Sequence, residues 1–208
     1  MMGFTFVLTS LKDIREYIET HHYSKSVNGL KISYCFKIVN DNNEIVGASI
    51  YGQQSTTAWK KYVEKESDLL ELRRLCTTDK TKNLLSKFVG FCNRYIKKHS
   101  EVKLLLSYAD PYNGHVGTIY QATNWLYLGE TSSDVLLRTP EGKIYHSRAM
   151  RTKYNGEFKP FALRLQVLEQ QGLLEKVQVP GKHIYVMVLS GKFNFVNKDY
   201  PKLNTESK

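Results

Sequence analysis

A run of apolar residues from Val102 to Tyr108 constrains the fold of this chain more than any other segment. A strand that buries both faces is nearly continuous in apolar residues, whereas a half-exposed strand alternates. The run follows an amphipathic segment, Asn83–His99, whose apolar stripe consists of Leu84, Leu85, Phe88, Cys92, Tyr95 and Ile96. A buried strand directly after such a helix predicts a sheet with helices on both of its faces.

The segments on either side predict the remaining elements of one mixed sheet. We expect strands over Phe4–Leu8, Lys31–Val39, Glu44–Tyr51, Asp68–Thr77, Trp125–Glu130, Val135–Arg138, Ile144–Arg148 and His183–Leu189. Further helices are predicted over Leu11–His21, His115–Thr123 and Phe161–Gln171. The fold class is therefore α/β (α+β), a mixed sheet flanked by helices with a basic C-terminal helix and strand extension. This order resembles the GNAT acetyltransferase fold.

The chain length and the charge distribution predict a single domain with a basic C-terminal part. The chain has 208 residues, and we expect one domain over 1–203, with a core at 1–137, an extension at 138–203 and a tail at 204–208. The chain carries 30 Lys and Arg against 20 Asp and Glu, and residues 138–208 alone hold 13 against 6. Such an excess indicates either a solvated basic surface or a polyanionic partner, foremost a nucleic acid.

Several classes of protein are excluded by what the sequence lacks. No apolar stretch approaches the roughly 20 residues that cross a bilayer, and Met1–Ser10 has neither the basic start nor the apolar block of a secretory signal. The three cysteines, Cys35, Cys76 and Cys92, form no CxxC pair, so we expect reduced thiols in a cytosolic protein. Phosphate-loop, nucleophile-elbow, zinc-protease and dinucleotide-binding motifs are absent from the sequence.

The segment from Tyr108 to Ala122 is the strongest candidate for a reactive site. The buried strand ends at Asp110, a glycine-flanked loop then exposes His115, and a short helix carries Tyr120. Ligands of α/β sheets bind at the carboxyl ends of strands, so Asp110 is placed as a base or metal ligand. The alternative is that Asp110 begins an Asx-Pro turn and caps the following helix.

A second candidate is the sequence His21-His22-Tyr23-Ser24 at the end of the first predicted helix. Imidazole, phenol and hydroxyl groups together supply proton-transfer groups or ligands for a transition metal. The alternative is an ordinary helix terminus, at which a histidine is favoured by the helix dipole.

A third candidate lies on the strand that contains Glu71, Arg73 and Arg74. Strand alternation places Glu71 and Arg73 on one face, as a structural ion pair or an anion site. The following segment, Thr77–Asn83, precedes a helix N-terminus that can hold phosphate. GNAT enzymes carry a glycine-containing pyrophosphate loop there, and this chain has no glycine in that segment.

Basic residues interleaved with aromatic ones predict contacts with DNA in the C-terminal part, since such residues bind phosphates and stack on bases. The candidates are Arg148, Arg151, Lys153, Lys159 and Lys182.

Taken together, these segments resemble the Mom family of bacteriophage DNA-modification proteins. The resemblance runs in order through His22–Ser24, Glu71–Leu75, Asn83–Ser86, Ser107–Asp110, Gly114–Trp125, Gly129, His146–Arg148, Lys182–Tyr185 and Tyr200–Lys202. It implies a GNAT-like transferase that adds a carbamoylmethyl (acetamido) group to N6 of adenine in duplex DNA and so protects phage DNA from restriction.

The resemblance also implies roles for individual residues. His22, Tyr23, Asp110 and Tyr120 would surround the reacting centre and hold an iron-like metal. Arg73, Ser86 and Ser107 would lie at the cofactor, an acetyl-CoA-related donor. The expected partner is double-stranded DNA and the expected location is the cytoplasm of the infected host, while the oligomeric state stays open, with a homodimer as one alternative. Because N6 lies inside the duplex, we expect the target base to be flipped.

Two other function classes remain open at this point. One is a conventional acetyl-CoA-dependent acetyltransferase acting on a small amine or a protein, against which the missing glycine loop argues. The other is a non-catalytic DNA-binding protein, which would leave His22, Tyr23, Asp110 and Tyr120 without a shared purpose.

Overall fold

The computed structural model describes residues 3–202, which divide into two compact units. The first unit contains the described residues up to Ala109, His115–Gly129 and the described residues from His183 onward. The second unit contains Asp110–Gly114 and Glu130–Lys182. The tail predicted over 204–208 lies outside the described residues, and the single-domain organisation stays a prediction.

The first unit is built on a seven-stranded mixed sheet. Its strands are β1 (Phe4–Thr9), β2 (Lys31–Asn40), β3 (Ile45–Gln53), β4 (Leu69–Thr77), β5 (Leu104–Ala109), β6 (Leu126–Glu130) and β12 (His183–Val188). Their order in the sheet is β1-β2-β3-β4-β5-β12-β6. Neighbours from β1 to β4 pair antiparallel, β4 and β5 pair parallel, and β5 and β12 pair antiparallel.

Two helices cover the opposite faces of this sheet, as predicted. Helix α1 (Leu11–His21) begins at a capping box between Ser10 and Asp13 and packs Ile14 and Ile18 in a cluster with Cys35. Helix α2 (Leu84–His99) packs its apolar stripe in a second cluster that includes Phe36. Cys35 and Phe36 are consecutive residues of β2, so their side chains point to opposite faces.

Helix α3 (Thr118–Gln121) is shorter than the predicted helix His115–Thr123. Two glycines with positive φ precede it, Gly114 (75°) and Gly117 (79°), and the left-handed conformation at Gly117 cannot continue a right-handed helix. A 3-10 helix, Pro111–Asn113, occupies the start of the same loop.

The second unit contains two small sheets and one helix. Its elements are β7 (Asp134–Arg138), β8 (Ile144–His146), β9 (Lys153–Tyr154), β10 (Glu157–Phe158), α4 (Pro160–Gln170) and β11 (Glu175–Val179). Strands β11, β7 and β8 form an antiparallel sheet in that order, and β9 pairs with β10 as a hairpin.

The expectation of one continuous sheet is therefore wrong for this part of the chain. The predicted strand Ile144–Arg148 ends at His146, where Ser147–Arg151 forms a 3-10 helix. Strand β11 was not predicted, because three of its five residues are charged or amide side chains that pattern analysis assigns to a loop. None of the helices within residues 3–202 combines the length and hydropathy of a membrane span.

Candidate active site

The sheet of the first unit opens between its two parallel strands. Strand β4 pairs with β5 only at Leu69, Leu70 and Glu71, opposite Leu104–Leu106. Both strands continue further, but the part of the chain that the structure describes contains no later rung between them. Backbone N–H and C=O groups that no longer pair with the neighbouring strand need other hydrogen-bond partners, which polar side chains in the opening can supply.

Ser107 and Tyr120 occupy this opening. The hydroxyl of Ser107, on β5, donates to the carbonyl oxygen of Leu72 on β4 (3.1 Å) and lies 2.7 Å from the hydroxyl oxygen of Tyr120. Tyr120 comes from α3 and is buried. Burial raises the pKa of Tyr120 to about 12, although the Ser107 hydrogen bond opposes the rise. The phenol therefore stays protonated at neutral pH and can serve as a proton donor.

His22, at the end of α1, is a buried neutral imidazole. Its Nδ1 accepts the backbone N–H of Ser24 (3.1 Å), so the proton of the neutral ring lies on Nε2. Burial, followed by the charges of Arg74 and His115, lowers the pKa of His22 to about 4. A charge–dipole interaction at the helix end does not account for this side chain, because the ring is uncharged at neutral pH. It is instead an oriented hydrogen-bond donor.

Aromatic contacts connect this imidazole to two other predicted site residues. The ring of Tyr23 lies 4.3 Å from that of His22 and 5.6 Å from that of His115, between centroids. Half of the Tyr23 side chain is exposed. The charge of a Tyr23 phenolate would raise the pKa of Tyr120, which places both phenols within electrostatic range. The structure thus brings His22, Tyr23, His115 and Tyr120 together.

Charged side chains of β4 border the same cluster. Arg73 Nη1 lies 3.2 Å from Glu71 Oε2, and both side chains are mostly buried. Arg73 also donates to the Gln53 carbonyl oxygen (3.5 Å) and to Ser55 Oγ (3.4 Å). The predicted ion pair is present, and it fixes the guanidinium of Arg73 against β3 and the loop that follows it.

Arg74 is a site residue that the sequence analysis did not single out. Its Nε donates to the Ser26 carbonyl oxygen (3.0 Å), which holds the segment after α1 against β4. Burial and the neighbouring charge of Arg73 lower the pKa of Arg74, and Arg74 in turn lowers that of His22. Two consecutive arginines within an apolar strand were the signal available in the sequence.

The start of α2 carries backbone amide groups of the kind that can bind a phosphate. Asn83 precedes the helix with φ of 62°, a left-handed conformation that asparagine tolerates, so this turn forms without glycine. The first backbone amides of a helix have no hydrogen-bond partner within the helix, and the amides of Leu85 and Ser86 are among them. Ser86 Oγ donates to the Asn83 carbonyl oxygen (3.0 Å). In the preceding loop, the carboxylate of Asp79 accepts the Thr81 amide (2.7 Å).

Asp110 lies in the second unit, immediately after β5, and is buried. Its Oδ1 accepts the Tyr112 amide (3.1 Å), so the predicted cap and turn are present. Its Oδ2 lies 3.0 Å from Lys182 Nζ. The carboxylate is thus held in a fixed orientation beside a cation.

The residues expected to hold an iron-like metal do not fit a preformed metal centre. Asp110 uses both carboxylate oxygens on protein partners, His22 Nδ1 is occupied by Ser24, and the Tyr120 hydroxyl is bonded to Ser107. Across residues 3–202, no three His, Cys, Asp or Glu side chains are grouped as a metal ion requires.

The basic residues predicted to contact DNA all lie in the second unit. Arg148 and Arg151 extend from the 3-10 helix Ser147–Arg151 and are exposed. Lys153 lies over the ring of Phe158 (4.5 Å) and Lys159 over that of Tyr154 (5.8 Å). Both ammonium groups therefore lie over aromatic rings of the β9 and β10 hairpin, whereas Lys182 is paired with Asp110.

The fold and the opened sheet define a GNAT-like protein, and known structures agree. Arabidopsis thaliana NAA60 in complex with acetyl-CoA has a TM-score of 0.51 and 10% identity, with 91% of this chain and 100% of that chain covered. A probable acetyltransferase from Staphylococcus epidermidis ATCC 12228 has a TM-score of 0.50 and 11% identity, with 90% of this chain and 100% of that chain covered. No curated protein matches.

A family model of the Mom protein family matches residues 4–202. The chain belongs to the Mom protein family.

Proposed function

We propose that the protein is a transferase that adds a carbamoylmethyl (acetamido) group to N6 of adenine in duplex DNA, which protects phage DNA from host restriction. The cluster of His22, Tyr23, His115, Tyr120 and Ser107 at the opening of the sheet carries this proposal. It is supported by membership of the Mom protein family, because three members of the cluster, His22, Tyr23 and Tyr120, are residues that the family resemblance assigns to the reacting centre.

The chemistry of adenine explains why this cluster is suited to the reaction. The N6 lone pair is delocalised into the ring, so its alkylation requires a proton acceptor and stabilisation of the group that departs. Tyr120 is protonated at neutral pH and is the proposed proton donor to the departing group. Neutral His22, with its proton on Nε2, is the proposed hydrogen-bond donor to the carbonyl of the transferred group.

Asp110 stays the predicted acceptor of the N6 proton. Its contacts with Tyr112 and Lys182 hold the carboxylate ready in one orientation. The donor is proposed to be an acetyl-CoA-related compound, with a phosphate at the start of α2 near Ser86 and Arg73 bordering the site. The atoms balance if the donor carries the carbamoylmethyl group on a leaving group: the bond from its methylene carbon to N6 forms as its bond to that leaving group breaks, Asp110 takes the N6 proton, and Tyr120 protonates the group that departs.

The decisive experiment is mass spectrometry of nucleosides from plasmid DNA co-expressed with the protein. We expect deoxyadenosine heavier by a carbamoylmethyl group in place of one hydrogen, together with resistance of the plasmid to restriction enzymes that cut at adenine-containing sites. Asp110→Asn should abolish the adduct while the protein remains folded by circular dichroism. Unmodified DNA from cells that contain soluble protein would overturn the proposal.

Two other results would identify the alternatives. Turnover of acetyl-CoA with a small amine or a protein, in the absence of DNA, would favour a conventional acetyltransferase. If the protein binds duplex DNA but forms no adduct, and if Tyr120→Phe and Asp110→Asn leave its affinity for DNA unchanged, a non-catalytic DNA-binding protein would be favoured. The host cytoplasm and a homodimer are proposed along with the activity; sedimentation at several protein concentrations tests the dimer.

A further inference from the structure

A pocket of about 530 Å³ lies entirely within the second unit and takes no part in the chemistry proposed above. Its walls come from β8, the 3-10 helix that follows it and the first turn of α4. The lining includes Tyr145, His146, Arg148, Arg151, Thr152 and Phe161. The volume falls within the range of about 300–1,000 Å³ that is usual for small-ligand sites.

The charges of this pocket favour an anion. The second unit contains four arginines, and two of them are paired: Arg138 with Glu175 (2.9 Å) and Arg164 with Glu141 (2.6 Å). The other two, Arg148 and Arg151, line the pocket, and their guanidinium groups form no ion pair or hydrogen bond with any described residue. No acidic side chain is among the described residues that line it. Two guanidinium groups that line one pocket without ion-pair partners favour a phosphate over a carboxylic ligand of lower charge.

The aromatic residues of the pocket indicate that the anion carries a planar group. The rings of Tyr145 and Phe161 are nearly parallel, with an interplanar angle of 11° and a centroid separation of 6.3 Å. Phe161 is partly exposed at the pocket although it is a large apolar side chain. Parallel aromatic rings next to arginine side chains form a stacking surface of the kind on which nucleobases bind.

We propose that this pocket binds one unstacked nucleotide of a DNA strand, with its base against Tyr145 and Phe161 and its phosphate against Arg148 and Arg151. The DNA origin of the nucleotide rests on the proposed function, whereas the phosphate-and-base chemistry rests on the pocket itself. This nucleotide is held rather than modified. The second unit thereby gains a means of recognising an unpaired base in addition to its contacts with the duplex backbone.

The test compares two labelled oligonucleotides in a fluorescence anisotropy titration of the full-length protein. One is a short thymidine strand, and the other is the same strand with abasic residues throughout. We expect the intact strand to bind about tenfold more tightly or better, because a stacked base contributes about 1–3 kcal/mol. Phe161→Ala should remove that difference, while Tyr145→Phe, which keeps the ring, should retain it.

The arginines are tested in the same titration at several salt concentrations. Arg148→Ala and Arg151→Ala should weaken binding of both strands alike and each reduce the salt slope by about one. Arg164→Ala is the matched control, since Arg164 is paired with Glu141 and does not line the pocket. Circular dichroism confirms that each variant is folded.

Several outcomes would overturn the inference. Equal affinity for the intact and abasic strands, or inorganic phosphate competing as well as deoxyadenosine monophosphate, would leave a phosphate site only. Adenosine 3′,5′-bisphosphate binding far more tightly than either strand would identify a free cofactor as the occupant. Displacement of the strands by an acidic peptide, but not by the mononucleotide, would indicate a protein partner.

The failure of this inference can be distinguished from the failure of the proposed function. The titrations are repeated with Tyr120→Phe, which lacks the proposed proton donor but leaves the pocket unchanged. Base-dependent binding by wild-type protein that leaves adenine unmodified would overturn the proposed function alone, whereas Tyr120→Phe should bind the strands as the wild type does. If the protein modifies adenine but Phe161→Ala leaves the difference in affinity between the intact and abasic strands unchanged, the pocket assignment alone is overturned.

Discussion

The protonation state of His22 links a single side chain to the stability of the protein. The ring is buried and neutral, and its pKa of about 4 lies below the ordinary value of 6.5. The unfolded chain therefore binds a proton at His22 that the native protein does not bind between these two pH values. This histidine opposes folding as the pH falls through that window.

We expect the free energy of unfolding to decrease as the pH is lowered from about 6.5 to about 4, with about 2 kcal/mol of the loss due to His22 once solvent screening is allowed for. Urea unfolding at pH values across this range measures the loss. His22→Asn should show a smaller loss than the wild type, and His21→Asn, which changes the exposed neighbour, should show the full loss. Identical profiles for His22→Asn and the wild type would contradict this account.

A second residue-scale prediction concerns the hydroxyl of Tyr120. Tyr120→Phe removes the proposed proton donor while the ring stays packed against Trp125, at 5.2 Å between centroids. We expect the rate of adenine modification to fall about 100-fold or more, with a stability loss of about 1 kcal/mol from the Ser107 hydrogen bond. Tyr34→Phe, on β2, is the matched control and should retain activity. The assignment fails if Tyr120→Phe is as active as that control.

Among the elements, α3 depends on the glycine that precedes it. Gly117 has φ of 79°, and a Cβ atom there would lie 2.3 Å from the Tyr185 ring. The Gly117 carbonyl oxygen accepts the Tyr120 amide (2.9 Å), so this glycine also fixes where the helix that carries Tyr120 begins. The close approach of backbone and ring is therefore a condition for placing the phenol.

We expect Gly117→Ala to destabilise the protein by about 2–4 kcal/mol, because the left-handed conformation and the overlap with Tyr185 both oppose the new methyl group. Gly114→Ala is the control: its φ is 75°, but no atom lies within 4 Å of the added Cβ, so only about 1–2 kcal/mol is expected. Urea denaturation compares the two. Equal losses of unfolding free energy in the two variants would show that the contact with Tyr185 contributes nothing to the effect of Gly117→Ala.

Elements with a clear apolar period could be predicted from the sequence, and those without one could not. Helix α2 was predicted to within one residue because its stripe recurs at helical spacing. Strand β11 was missed because it contains only two apolar residues, Val177 and Val179, and begins with the charged pair Glu175 and Lys176, so its alternation is too short to be distinguished from a loop. The 3-10 helix Ser147–Arg151 was also missed, since such short helices have no periodicity of their own.

The same distinction holds within the candidate site. His22, Tyr23 and Tyr120 carry functional groups in recognisable segments, and the resemblance to a family grouped them, together with Asp110, before the fold was known. Arg74 holds the segment after α1 against β4 through its contact with the carbonyl oxygen of Ser26, which lies 48 positions away in the sequence. Spacing and composition contain no information about a contact of that range.

At the scale of the whole molecule, the net charge of +10 predicts binding that depends strongly on salt. We expect affinity for a duplex oligonucleotide, measured by anisotropy between about 50 and 200 mM salt, to fall with a slope of about 0.9 per phosphate contacted. The double variant Lys153→Ala/Lys159→Ala should lower that slope by about two. Lys176→Ala, a lysine paired with Glu169 at 3.0 Å, should leave it unchanged. If the affinity of the wild type for duplex DNA does not change with salt concentration, a surface that binds DNA phosphates is excluded.

The route of the chain through the sheet has an evolutionary consequence. The chain leaves the seven-stranded sheet at the end of β6 and returns to it at β12, and these two strands are neighbours in the sheet. The ends of the intervening segment, residues 131 and 182, are joined by a hydrogen bond from the Thr131 amide to the Lys182 carbonyl oxygen (2.9 Å). A segment that departs and returns through adjoining strands can lengthen, shorten or be exchanged without shifting the register of any other strand. Changes to the residues proposed to touch DNA therefore need not disturb the seven-stranded sheet of the first unit.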